Sequence, residues 1–428
     1  MHVSLDSALG RQRRLNSVGE SVLQIAPNAA AAYSLRSLTG GDPRAVRVRR
    51  SSDNAEQDFT SSGVSSGALT SFVNEDVELF SNDFETNTSG FTLNTGGSNV
   101  AVRNTSDGFS GSGCLQLNLT SSSNSINTVK TDTYMKDTDG VTYTVSFYAK
   151  AISGSANLVL KIGTESSSLQ QISFSENGGE WVKYSLTFVN NFGAGAGNRS
   201  QRILFAASTN NTTEWRIDDF QIVQTTSNGF VETWYDQSGN GNDAVQATAA
   251  EQPKIVDAGS LLTAGVTFDG ADSLSVSGDP VITASSSGVF SGFSVQTAAT
   301  SEAGYLYGNT STANGASFYA GVNIFTLTNK TNVSLDNIAR SSGQNLLSAV
   351  YNNGDAGLLV NGAGTMASAL TYDFSAGSSD FTIGNRNGGS AGATFLAGSI
   401  NEIIVYNSNQ SANRTAVETN INSHYSIF

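Results

Sequence analysis

Gly229 to Ala244 reads G-F-V-E-T-W-Y-D-Q-S-G-N-G-N-D-A, and the reading of this stretch decides the fold. Phe230 to Tyr235 is an apolar and aromatic run suited to a half-buried strand. It passes into Asp236-Gln237-Ser238-Gly239-Asn240-Gly241-Asn242, where Gly and Asn supply the positive φ angles a tight loop needs. Short apolar runs closed by polar turns, repeated along a weakly charged chain, are the pattern of an all-β sandwich.

Composition agrees and narrows the function. Only 14% of the 428 residues are charged, and the chain has 44 Gly against 4 Pro. The length admits two or three domains. A net charge of −14 argues against a nucleic-acid-binding body, because phosphate contacts need a basic surface. The single cysteine, Cys114, excludes an intramolecular disulfide framework and a thiolate metal cluster. His2 and His424 are the only histidines, which leaves no material for a Ser-His-Asp triad or a histidine zinc site. No run approaches the ~18 apolar residues of a membrane span, and the opening M-H-V-S-L-D-S-A-L-G lacks the apolar core of a secretory signal. Neither membrane insertion nor ordinary export is expected.

Outward from the central stretch, residues 1–27 show no period and carry Arg11, Arg13 and Arg14. They read as a solvated arm or as an anchor that orders on an acidic partner. Pro27-Asn28 then predicts a short helix over A-A-A-A-Y-S-L-R-S-L, with Asn28 as N-cap. Ala45 to Arg50 alternates as a strand whose arginines are either locally paired or free to grip anions.

Words on both sides of the central stretch carry a resemblance. W-Y-D-Q-S-G-N-G-N-D-A resembles the signature of the concanavalin-A-like sandwich in GH54-type α-L-arabinofuranosidases, and the same words recur in bacteriophage structural proteins. A-A-Y-S-L-R, V-R-V-R-R-S-S-D-N-A-E-Q-D-F and the closing E-I-I-V-Y-N-S-N-Q-S-A-N-R-T-A-V-E-T-N-I-N-S-H-Y resemble the phage members. In such relatives a helix ending like Leu69-Thr70-Ser71-Phe72-Val73 leads almost directly into G-F-V-x-T-W-Y-D-Q-S-G-N-G-N, whereas about 150 residues separate the two here. The expected organisation is therefore an arm (1–27), a discontinuous sandwich (28–76 plus 225–428) and an inserted domain (77–224).

The insert has its own strand pattern. Tyr143, Val145, Phe147 and Ala149 share one face, as do Leu158, Leu160 and Ile162, and again Val182, Tyr184, Leu186 and Phe188. Its opening L-F-S-N-D-F-E and closing E-W-R-I-D-D-F-Q-I-V resemble the jelly rolls of CBM4/9-type carbohydrate-binding modules. That resemblance implies a structural Ca²⁺ held by Asp83, Glu85, Asp218 and Asp219, which otherwise read as solvated edge-strand acids. A spacing change between Ile217 and Phe220 places Asp218-Asp219 at a bulge. Trp181, Trp215, Trp234 and Tyr235 are the candidate glycan contacts, with packing as the competing role of the tryptophans.

After the central loop, Gly265 to Gly270 reads as strand and turn and Leu346 to Gly362 as a β-hairpin. Phe381 to Tyr406 reads as two strands, and Ser411 to Tyr425 as a closing helix capped by Ser411 with Val417, Ile421 and Tyr425 inward.

Glycoside hydrolysis normally needs two carboxylates. Arg386 stands where the arabinofuranosidase pattern implies the acid/base aspartate, and a guanidinium donates no proton near neutral pH. No Glu lies between Ala303 and Asn401, where the nucleophile is implied. The expectation is thus a non-catalytic structural protein of a tailed bacteriophage, located in the virion as a tail or capsid appendage. Its partners would be other virion proteins through the arm, host surface glycans, and further copies of itself in a homo-oligomer. A free carbohydrate-binding protein and an active glycosidase are the competing readings.

Overall fold

Strict alternation sets strands such as Thr142–Gly154, whose odd residues through Ala151 are buried. The computed structural model describes residues 19–428 apart from 92–99, 121–128, 131–139, 165–166, 176, 191–201, 281–288, 299–303, 309–315, 322–323, 330–333, 341–342, 353–354, 368–379 and 386–394. The fold is all-β with a short C-terminal helix. The chain divides into two compact units: Met1–Val73 with Asn228–Phe428, and Asn74–Ser227. Arg11, Arg13, Arg14 and Arg386 lie outside the described residues.

In the larger unit, strand Val289–Ala298 runs antiparallel between Gln344–Asn352 and Ala397–Tyr406. Phe290, Leu347, Ala349, Tyr351, Ile403 and Val405 face one core, together with Trp234, Phe268 and Tyr307. The alternate residues Phe293, Val295, Leu346, Ile404 and Tyr406 face the other way. They are covered by Val22 and Ala26 of an N-terminal helix turn and by Val417 and Ile421 of helix Arg414–Tyr425. With both faces buried, these central strands read as nearly continuous apolar runs.

Three expectations are corrected here. The segment up to residue 27 is not arm throughout, because helix Val22–Ile25 belongs to this packing and Val22 and Ala26 are fully buried. The alanine run after Asn28 is a strand, Ala31–Ser34, pairing with Glu402–Val405. Asn28 takes φ 64° instead of capping a helix, and pairing with the last long strand overrides the helix propensity of alanine. The closing helix starts at Arg414, and Asn413, not Ser411, is its N-cap residue.

Strand Arg44–Arg50 lies between Gly229–Trp234 and Glu56–Thr60. Its arginines are paired. Arg47 meets Glu56 and Asp58, Arg49 meets Gln252 and Asn54, and Arg50 forms a fork with Asp53.

The central loop ties the Ala31 strand in place. Asp236 accepts from the Ala32 amide, Gln237 bridges Ser34, Arg36 and Leu38, and Asn240 and Asn242 donate to the carbonyl of Ala30.

The smaller unit is a two-sheet sandwich. One sheet takes the order Val182–Val189, Thr142–Gly154, Thr213–Gln224, Cys114–Leu119, Val100–Asn104, with Val77–Asn82 also pairing to Thr213–Gln224. The other runs Ser167–Phe174, Leu158–Thr164, Arg202–Ala207, Val129–Lys130. Tyr143, Val145, Phe147 and Ala149 meet Leu158, Leu160, Ile162 and Phe205 in the core between them. The edge strand Val182–Val189 buries only Phe188 fully. The ladder breaks between Asp218 and Gln221, where Asp219 adopts φ 45°.

Candidate functional site

The outward face of the smaller unit's larger sheet follows from its inward face. With the odd residues of Thr142–Gly154 buried, Ser146, Tyr148 and Lys150 point away from the core. Antiparallel pairing sets Ser185 beside Ser146 and Lys183 beside Tyr148.

Phe109 covers this face from a loop. Its ring stacks on Tyr148 with centroids 3.6 Å apart and planes 14° from parallel, and it meets Trp181 edge-on at 6.0 Å. Phe109 remains 42% exposed. Lys150 Nζ lies 5.6 Å from the Trp181 centroid, and Lys183 Nζ lies 5.9 Å from that of Tyr148. Lys150 also pairs with Asp107 at 2.7 Å, which neutralises it.

Beside Tyr148 runs a groove of about 800 Å³. Ser146, Tyr148, Lys183 and Gln221 contribute from the sheet, and Asn82 and Asn87 from the first strand and the turn after it. One aromatic wall with convergent amide, hydroxyl and ammonium groups gives a polar ligand both stacking area and orienting hydrogen bonds.

The four acidic residues expected to hold calcium serve this face differently. Asp218 is fully buried and accepts from the amides of Phe109 at 2.6 Å and Ser110 at 3.2 Å through Oδ2, while Oδ1 takes the Asp219 amide. Asp219 accepts from the Ser110 hydroxyl, and Glu85 from the Gly113 amide at 2.7 Å. Asp83 turns back onto the Glu85 amide. Burial pushes the Asp218 carboxyl above its ordinary pKa, with those amide bonds opposing the shift. As placed, this set does not fit a calcium ion, which takes six to eight oxygen ligands. Among the described residues no three carboxylate, imidazole or thiolate side chains converge as a metal site. Asp218, Asp219 and Glu85 instead lash the 109–113 loop, and with it Phe109, onto the sheet.

The expected glycan contacts divide. Trp181 is half-buried and belongs to the aromatic cluster. Trp215 and Trp234 are fully buried in the two cores and out of reach of any polymer, which corrects their assignment. Trp234 packs on Tyr33 at 5.9 Å. Tyr235 spends its hydroxyl on Asp58 at 2.7 Å, with Arg44 over its ring. Tyr148, Phe109 and Lys183 were not singled out from sequence, although Tyr148 is the one aromatic among the outward residues of a strand whose inward face is legible.

Comparison with known proteins gives one family match, over part of the smaller unit. Residues 78–208 match the family CBM_4_9, described as a carbohydrate binding domain. The chain is similar to the CBM22-1 xylan-binding domain of Paenibacillus barcinonensis Xyn10C, with 17% identity over 35% of this chain and 96% of that one and a TM-score of 0.27. Trypanosoma rangeli sialidase in complex with sialic acid is also similar, with 11% identity over 45% of this chain and 31% of that one and a TM-score of 0.33. No curated protein matches the sequence. Within the smaller unit, residues 78–208 are thus similar to the CBM4/9 carbohydrate-binding-domain family.

Proposed function

We propose that the protein is a non-catalytic carbohydrate-binding protein that takes a glycan along the groove beside Tyr148. The supporting observation is that the carbohydrate-binding-domain match spans Tyr148 and Lys183, which line that groove, and Phe109 and Trp181, whose rings cluster beside Tyr148. A sugar ring lays its C–H face on an aromatic plane, and its hydroxyls exchange hydrogen bonds with Ser146, Gln221, Asn82 and Asn87.

Retention of the full chain on a panel of insoluble polysaccharides tests this reading. Binding to at least one is expected, weakened about ten-fold or more by Tyr148→Ala with no change in thermal midpoint. Retention that Tyr148→Ala and Phe109→Ala both leave untouched would remove the site. Release of reducing sugar from the same panel would overturn the non-catalytic part.

The finer reading is a virion structural protein of a tailed bacteriophage that displays this domain to host glycans. It rests on the wording of Trp234 to Asn242 and of the closing stretch from Glu402 to Tyr425. Immunogold labelling of phage particles tests it. Label on a tail or capsid supports a structural appendage, whereas label only on free protein in the lysate favours a soluble carbohydrate-binding protein.

A further inference from the structure

Asp219 sits where the ladder of strand Thr213–Gln224 breaks, one residue past the register partner of Tyr148, and takes φ 45°. Positive φ is disfavoured for a residue with a Cβ, so it persists only where surrounding bonds enforce it. Here the Asp219 amide is held by Asp218 Oδ1 at 2.8 Å. By strict alternation Asp219 would follow Ile217 into the core. The bulge re-aims it into the lining of the groove beside Tyr148.

One carboxylate oxygen is used and the other is not. Asp219 Oδ1 accepts the Ser110 hydroxyl at 2.8 Å, while Oδ2 takes no hydrogen bond among the described residues. The side chain is half-buried, so Oδ2 is not simply a solvated surface group. An ionised carboxylate accepts and cannot donate, so its ligand must bring the proton. Asp83 and Lys183 are the other charged residues of the lining, which sets two carboxylates against one ammonium. A ligand anion near Asp219 would meet like charge. A ligand hydroxyl would instead form a charge-assisted hydrogen bond, roughly twice as strong as a neutral one.

We propose that Asp219 is the specificity-determining contact of this groove, its Oδ2 accepting hydroxyls of the sugar unit that lies against Tyr148. It selects glycans with free hydroxyls at that unit over glycans whose hydroxyls are blocked or replaced by anionic groups. The inference rests on the groove beside Tyr148 being the glycan site. The strained bulge then has a use, because it holds a charged acceptor at the one place where the sheet alone would put an inward-facing residue.

The test measures retention of the full chain on insoluble xylan, cellulose, chitin and mannan, using whichever holds the wild type most strongly. Asp219→Gly suits the left-handed φ and deletes both carboxylate oxygens. Ser110→Ala loses the same Ser110–Asp219 hydrogen bond but leaves Oδ2 in place, and Asp218 still holds the Ser110 amide. Retention should fall about ten-fold or more in Asp219→Gly, as expected for loss of a hydrogen bond to a charged acceptor, and less than about two-fold in Ser110→Ala. O-acetylation of the polysaccharide should erase the difference between wild type and Asp219→Gly. Should Asp219→Gly fail to melt cooperatively, Asp219→Asn decides alone: it removes the charge and should lower retention several-fold. Retention unmoved in the Asp219 variants, or an equal loss in Ser110→Ala, overturns the proposal, the latter because Asp219 would then act only by holding the loop. Failure of the groove itself appears separately, as wild-type retention that Tyr148→Ala leaves unchanged, whereas loss in Tyr148→Ala without loss in Asp219→Gly sinks this inference alone.

Discussion

Asp236 accepts hydrogen bonds from the amides of Ala32, Ser238 and Asn242 and from the Ser238 hydroxyl, all within 3.1 Å. Three of these close its own loop and the fourth fixes a strand 204 residues earlier in the chain. Because hydrogen bonds to a charged acceptor are the strong ones, Asp236→Ala should cost about 3 kcal/mol or more, read as a lower urea midpoint at unchanged slope. The loop itself was legible in D-Q-S-G-N-G-N, since Gly239 and Gly241 take the positive φ values such a turn requires. Its partners were not, because contacts from Gln237, Asn240 and Asn242 to residues 29–38 exist only once the chain has folded. Asp272 is a second residue whose behaviour depends on tertiary burial. It accepts the Asp269 amide at 3.0 Å, and burial pushes its carboxyl from an ordinary 3.8 up to about 7. The folded state therefore holds this proton more tightly than the unfolded chain. Its stabilising effect is complete below about 3.8 and is lost as pH rises through about 7. Asp272→Asn keeps an acceptor and cannot ionise, so the loss of stability between pH 5 and 8 should be smaller in the variant. Equal urea midpoint shifts in both proteins would refute this.

Strand Thr142–Gly154 shows how far periodicity reaches at the scale of an element. Naming its odd positions as core fixes its even positions as surface, and Tyr148 among them is the wall of the groove. The alanines after Asn28 show the opposite case, where a run with helical propensity is claimed by a neighbouring strand. The 109–113 loop carries no period at all, and its position depends on Asp218 across the sheet. Both carboxylate oxygens of Asp218 accept amides, whereas an asparagine side chain has only one accepting oxygen. Asp218→Asn must therefore give up either the Asp219 amide or those of Phe109 and Ser110. With the Phe109 and Ser110 amides released, glycan retention should fall several-fold while the insert stays folded, roughly the effect of one or two hydrogen bonds. Retention equal to wild type would mean that the Phe109 and Ser110 amides keep their acceptor or that stacking on Tyr148 suffices to hold Phe109.

Each unit of the whole molecule has its own apolar core, one built around Trp234, Phe268 and Tyr307 and the other around Trp215, Phe147 and Phe220. The sequence exposed this division through about 150 residues of separate strand pattern between Val73 and Gly229. Within the smaller unit the first and last strands pair antiparallel, with Val77 opposite Gln224, so its two ends emerge side by side. Within the larger unit the ends also meet: a Cβ built on Gly229 would lie 3.0 Å from Val73 Cγ2. A unit with adjacent ends, inserted between two adjacent points of another, can be removed with little chain-closure cost. Replacing 74–227 by a linker of about four Gly and Ser residues should thus leave the larger unit unfolding cooperatively, since a short closing loop adds little entropy cost. The excised 74–227 should fold alone and keep the polysaccharide retention that Tyr148→Ala removes. Loss of cooperative unfolding in both pieces would mean that the cores support one another, and the chain would then be one cooperative unit instead of a host and a guest.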